Sequence, residues 1–141
     1  MLTKRILPVV LLSSAAAWSL CKAADKVDLS KLPAAAEKKN VTFEQDMKPL
    51  FEKSCFKCHG PETEKPKGKL RVDTKAALLK GGENGPDVVP GDIAKSPLLH
   101  QVARLTDEDD WMPPKDNKAK IPPLTKDQVA LIRAWIEQGA K

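Results

Sequence analysis

Cys55-Phe56-Lys57-Cys58-His59 is the stretch on which the reading of this chain turns. Two thiols three positions apart can each add across a vinyl group of one haem, and a histidine directly after the second thiol then lies beneath the iron. The pentapeptide therefore predicts Cys55 and Cys58 as thioether anchors and His59 as proximal ligand. Three rivals are weaker. A structural zinc site usually draws four ligands, often as two spaced pairs, yet beyond Cys21 the only other cysteine or histidine is the isolated His100. A thioredoxin-like redox pair needs a βαβ setting, whereas these flanks are helix-like and rich in proline and glycine. A disulfide scaffold wants more cysteines. Covalent haem is favoured over zinc or a redox dithiol.

Working outward, 141 residues amount to one domain plus appendages. Twelve prolines, seven glycines, no tyrosine and 4 % aromatic residues are a thin apolar supply for a stand-alone core. A buried haem would fill that deficit. The formal charge of +5 overstates the exported form, because Lys4, Arg5 and Lys22 fall in a candidate signal sequence; without them 21 basic residues face 19 acidic ones. The pI of about 9.1 is then no argument for nucleic acid, and no aromatic residues interleave with basic ones as a base-stacking surface requires.

Residues 1–23 read as a secretory signal: Lys4 and Arg5 start it, Ile6 to Leu20 are apolar, and Cys21-Lys22-Ala23 places small residues at both cleavage-defining positions. About 15 apolar residues fall short of the ~20 that span a bilayer. Cleavage after Ala23 would remove Cys21. Lipid attachment at Cys21 is the alternative, poorly matched by Trp18-Ser19-Leu20, so any membrane association would come through the N-terminus. Export and haem attachment both point to an oxidising compartment outside the cytoplasm.

Residues 24–40 have too little periodicity for a long helix and are expected to be a linker or an extended arm over the domain. The haem domain is expected over 41–141. There Thr42 with Gln45 resembles a capping box, and Phe43, Met47, Leu50 and Phe51 make one apolar face leading into Cys55, with Pro49 imposing a kink or a late start. After His59 comes a Pro/Gly-rich loop with Lys65, Lys67 and Lys69, then a short extended piece at Leu70-Arg71-Val72. Thr74 caps a helix over 75–80 that Gly81 and Gly82 stop, and Ser96-Pro97 starts another running to about Arg104. Prolines forbid helix over most of 105–124. Thr125 with Gln128 caps a closing helix over 126–138, with Val129, Ile132, Trp135 and Ile136 on one face and Gly139 as its stop. The two terminal helices are suited to cross and pack.

A haem with His59 alone is open to gases or peroxide, whereas a second protein ligand closes it and favours electron transfer. Met47, twelve residues before His59 on the leading helix, reads as core. Met112 lies 53 residues after His59, and Pro113-Pro114 holds its loop with little freedom, which suits a weak thioether ligand. Met112 is the expected sixth ligand. His100 reads as a surface or propionate-contacting histidine, with iron ligation as its alternative. Lys53, Lys57, Lys65, Lys67 and Lys69 are either a solvated face or a docking surface for an acidic redox partner, and the run Asp107 to Asp110 weakens any uniformly positive face.

These pieces resemble the class I cytochrome c fold, and more narrowly the planctomycete-type cytochrome c domain. The resemblance rests on Phe43, Pro49-Leu50, Cys55-x-x-Cys58-His59-Gly60, Gly68-x-Leu70-Arg71-x-Asp73, Leu79-Lys80-Gly81-Gly82 and Pro90-Gly91-Asp92. Ser96-x-Leu98, Met112-Pro113-Pro114 and Trp135-Ile136-x-x-Gly139-Ala140 complete it. It implies a mainly α fold of short helices and Pro/Gly-rich loops wrapped around one covalent haem c. Cys55 and Cys58 would hold that haem, with His59 proximal and Met112 distal as the iron ligands, in an exported bacterial protein.

The expected function is that of a periplasmic monohaem electron carrier, not an enzyme. It would pass single electrons between a donor and an acceptor such as a periplasmic dehydrogenase or a membrane oxidase. The alternatives are an open-iron sensor or peroxidase-like protein, and a dedicated electron-accepting subunit of a dehydrogenase.

Overall fold

The computed structural model describes residues 27–141. The signal-sequence reading of 1–23, with the fate of Cys21, lies outside the described residues. What is described is mainly helical, with no strand among the described residues and one isolated bridge between Gly82 and Gly85.

Thr42 opens the first helical run, and its side chain accepts the Gln45 amide at 3.3 Å, as the Thr-x-x-Gln spacing predicts. The reciprocal bond to the Thr42 amide comes instead from the Asp46 carboxylate, at 3.0 Å. The first turn, Phe43–Met47, is a wide π turn preceding α1 (Lys48–Ser54). One extra residue per turn brings the fourth position past the cap over it, rather than the third. Pro49 falls in the first turn of α1, where no intrahelical donor is required. The expected disturbance at Pro49 thus takes the form of a change of helical pitch.

One further turn, α2 (Phe56–His59), carries the motif. Next, α3 (Lys75–Lys80) is capped by Thr74, whose hydroxyl accepts the Ala77 amide at 3.2 Å. It stops at Gly81, where φ is +81° and an added Cβ would lie 1.9 Å from the Gly85 carbonyl oxygen. The fourth helix, α4 (Pro97–Val102), ends short of the expected Arg104 because the backbone there turns left-handed, at φ 57°. Ser96 spends its hydroxyl on the preceding loop, donating to the Asp92 carbonyl at 2.7 Å and accepting the Val89 amide at 3.0 Å.

The closing helix α5 (Lys126–Glu137) has the full capping box, with Thr125 and Gln128 bonded in both directions at 3.3 and 2.8 Å. Both expected apolar faces are buried: Phe43, Met47, Leu50 and Phe51 on one run, and Val129, Ile132, Trp135 and Ile136 on α5. The runs meet where the Phe43 ring lies 6.1 Å from Trp135 and 6.3 Å from Phe51. The Lys141 carbonyl accepts both the Phe43 amide at 2.7 Å and the Trp135 indole N–H at 3.0 Å, fastening the end of the chain onto this junction.

Residues 27–40 lie along α5. Arg133 donates to the Pro33 carbonyl at 2.8 Å, the Ala36 amide to the Ala130 carbonyl at 3.1 Å, and the Gln138 amide to the Lys38 carbonyl at 2.9 Å. Leu32 buries its side chain beneath this strap.

The strap also reaches Asp46, whose side chain is 6 % exposed and pairs with Lys38. Burial pulls the Asp46 carboxyl up, but Lys38 and the Thr42 amide outweigh it and hold the group below its ordinary range. A carboxyl lowered by folding contributes stability above its unfolded value and loses it as pH falls through the folded one. Asp46→Asn is therefore expected to cost about 1 kcal/mol at neutral pH and to flatten the fall in Tm below about pH 4, as thermal melts across pH would show.

Candidate functional site

The cysteines follow directly from the end of α1. The Cys55 amide closes on the Phe51 carbonyl at 2.7 Å, and the Cys55 carbonyl then accepts the Cys58 and His59 amides at 3.1 and 2.9 Å. Two thiols and a ring are thereby presented from a single turn. Gly60 ends that turn, its amide bonded to the Phe56 carbonyl at 2.8 Å; a Cβ there would come within 2.5 Å of that same oxygen. Both thiols are free. Enclosure by neighbouring atoms, with Cys58 second, pushes the Cys55 thiol up to about 12. In the folded chain it is a neutral thiol rather than a nucleophilic thiolate.

His59 is oriented by a backbone group. Its Nδ1 lies 3.1 Å from the Leu70 carbonyl oxygen; a carbonyl can only accept, so the proton is on Nδ1 and the lone pair on Nε2 is left for a Lewis acid. The His59 carbonyl in turn accepts the Val72 amide at 3.0 Å. One extended piece, Leu70-Arg71-Val72, thus grips both the ring and the main chain of His59. Nearby, burial raises the Asp87 carboxyl, an effect opposed by the Gly82 amide at 3.2 Å.

The chain returns to the neighbourhood of His59 at Met112, which lines the same cavity. The Met112 amide donates to the Gln101 carbonyl at 3.3 Å, and the peptide bond to Pro113 is cis. Just before it, the Trp111 indole donates to the Thr106 carbonyl at 3.0 Å, and the Arg104 guanidinium stacks 4.7 Å from the Trp111 ring centre. Arg104 Nε is buried without a hydrogen-bond partner, so attraction to the ring face is the compensation available to that cation.

Cys55, Cys58, His59 and Met112 all line one small cavity of about 50 Å³, whose walls are largely apolar and include Leu70 and Leu98. A second open cleft, of about 480 Å³, shares Cys58, His59 and Met112 with it and is edged by Lys57, Lys67 and Lys118. The donor set fits a haem c: two thiols from one turn, an imidazole presenting Nε2, and a thioether on the same apolar cavity. Zinc fits poorly, since among the described residues no three His, Cys, Asp or Glu side chains converge on a point that could hold a metal ion.

The other candidates fall elsewhere. Met47 is fully buried in the core. His100 corrects an expectation: it is buried, not on the surface, and its Nε2–H donates to the Ile93 carbonyl at 2.7 Å. The apolar neighbours Leu98, Leu99 and Val102 draw α4 into the core, and the Ile93 carbonyl satisfies the polar ring carried in with them. His100 lines neither cavity. Sequence reasoning missed the carbonyls of Leu70 and Gln101, because a backbone acceptor has no side-chain signature.

Residues 55–116 match the family model described as Planctomycete cytochrome C. No curated protein and no solved structure matches the chain.

Since its ring is committed to Ile93, His100→Phe is expected to leave the visible spectrum of the holoprotein unchanged. The cost should instead be about 1–3 kcal/mol of stability, from the orphaned carbonyl. Absorption spectra and denaturant melts of the one variant separate the two effects.

Proposed function

We propose, from the match of residues 55–116 to the Planctomycete cytochrome C model, that the chain is an exported monohaem cytochrome carrying single electrons between periplasmic or membrane redox enzymes. The observation that supports this best is the shared cavity: His59, both thiols and Met112 line one apolar chamber. In this reading Cys55 and Cys58 hold the haem, and His59 and Met112 are its axial ligands. Haem c bound there supplies a one-electron ferric/ferrous couple.

The chain's own residues account for the rest. Leu70 holds the His59 ring in one tautomer, so the proximal donor keeps its orientation whatever the charge on the metal. Val72, Leu98, Val102 and Leu124 give the cavity an apolar wall, and an apolar wall around a haem would lower the reorganisation on electron transfer. With His59 and Met112 both bound to its iron, a haem held here would have no coordination position left for a substrate, which favours a carrier over an enzyme.

Residues 41–141 would form the haem domain, 24–40 its strap, and 1–23 an export signal. Among the described residues no helix is long and apolar enough to cross a membrane.

The partner surface is the mouth of the open cleft. Lys57, Lys67 and Lys118 edge it and are exposed, none forms an ion pair among the described residues, and Asp116 is the acidic residue that lines it. Their charge would steer an acidic redox protein toward the exposed side of the site.

The test of the ligand set is the weak far-red sulfur-to-iron band of the ferric holoprotein. It should be present in the native protein and lost in Met112→Ala, whose ferrous form should then bind carbon monoxide rapidly; a native protein without the band defeats the assignment of Met112. For the partner surface, the electron-transfer rate with an acidic partner should fall as salt rises. Lys57→Glu with Lys118→Glu should lower it about tenfold at low ionic strength, and a salt-independent rate would count against this docking face.

A further inference from the structure

After Met112 the chain runs to α5 without a helix, and a loop of that kind is the least ordered part of most folds. Yet this loop carries the thioether that must stay at the cavity wall. A thioether is a weak donor, so the chain has to hold it in place.

One side chain does the holding. Asn117 Nδ2 donates to the Pro114 carbonyl at 2.8 Å and to the Ile121 carbonyl at 2.9 Å, while Asn117 Oδ1 accepts the Ile121 amide at 2.7 Å. Two carbonyls can only accept and an amide N–H can only donate, so the orientation of the carboxamide is fixed by its partners. The Asn117 carbonyl adds a backbone bond from the Lys120 amide at 3.0 Å. Residues 114 and 121 are thereby pinned together through one carboxamide. Pro114, Asn117 and Ile121 all line the small apolar cavity together with Met112, and Asn117 also lines the neighbouring cleft, so it stands where the two meet. Asn117 lies just beyond the segment that matches the family model.

We propose that Asn117 is a positioning residue for Met112: its three-bond staple across 114–121 keeps the distal loop closed and holds the thioether against replacement by outside ligands. This rests on the reading of Met112 as axial ligand. Because the staple needs two donors and one acceptor, aspartate, nearly the same shape, cannot reproduce it. An ionised carboxylate in place of the carboxamide would keep the bond from the Ile121 amide and set its other oxygen against carbonyl oxygens. A protonated one would regain a single donor.

The experiment uses ferric holoprotein, with imidazole as the probe ligand, for the wild type, Asn117→Asp and Asn117→Leu. At neutral pH both variants should show a weakened far-red band and bind imidazole about tenfold more tightly, the factor expected from one lost hydrogen bond of typical net strength. In Asn117→Asp the band should recover as pH falls through the carboxyl's titration; in Asn117→Leu and the wild type no such recovery should occur. Wild-type band strength and imidazole affinity in both variants would overturn the proposal, as would a loss in Asn117→Asp that acid does not reverse, the mark of general damage. If Asn117→Leu fails to fold, the acid recovery in Asn117→Asp decides alone. A wild-type protein without the band would remove the Met112 reading and this proposal together, whereas a wild-type band that both variants retain removes the staple only.

Discussion

His59 is gripped at two points by one short extended piece of chain, and the rest of the site depends on that grip. The Leu70 carbonyl takes the ring proton and the Val72 amide takes the His59 carbonyl, so the imidazole can neither turn over nor withdraw with its helix. A lone turn such as Phe56–His59 is far too short to be stable alone. It is held from the front by α1, which ends on Cys55, and from behind by Leu70 and Val72, whose side chains also line the cavity. One segment therefore fixes the His59 ring and builds part of the wall around it.

The part of the cavity wall around Met112 is organised on another basis. No helix presents Met112; it hangs on the Gln101 carbonyl by its amide and is followed by two prolines and the Asn117 carboxamide. The stacked pair Arg104 and Trp111 precedes it. His59 is thus placed by regular backbone geometry and Met112 by individual side chains and turn chemistry. Substitutions at the surface of the distal loop should consequently reach the thioether more readily than equivalent changes near α2 reach the imidazole.

Much of this was legible in the sequence, for identifiable reasons. Helix-period apolar residues with cap signals placed α5 to within a residue of its end, and Thr74 with Gly81 bracketed α3. These are local effects, set by residues within a turn of one another. The cavity-lining set, Cys55, Cys58, His59 and Met112, was chosen from residue chemistry and spacing. What escaped was non-local or main-chain. The π turn at Phe43–Met47 exchanged Gln45 for Asp46 at the cap. A histidine beside Leu98 and Leu99 reads as a surface or propionate-contacting residue, yet the apolar neighbours carry it inward. Nothing in the letters at 70 or 101 announces that their carbonyls hold His59 and Met112.

The strap along α5 shows the same division in another light. Its anchoring atoms are the Pro33 carbonyl, the Ala36 amide and the Lys38 carbonyl, all main-chain. The helix supplies the identity-bearing partners, Arg133 and Gln138. The hydrogen bonds of this contact are therefore specified mostly from the helix side, while Leu32 and the Lys38–Asp46 pair anchor the strap through its own side chains. Truncating Arg133 or Gln138 removes hydrogen bonds that no change of side chain at Pro33 or Lys38 would remove. Two stretches that touch along their length can thus stand under quite unequal sequence constraint.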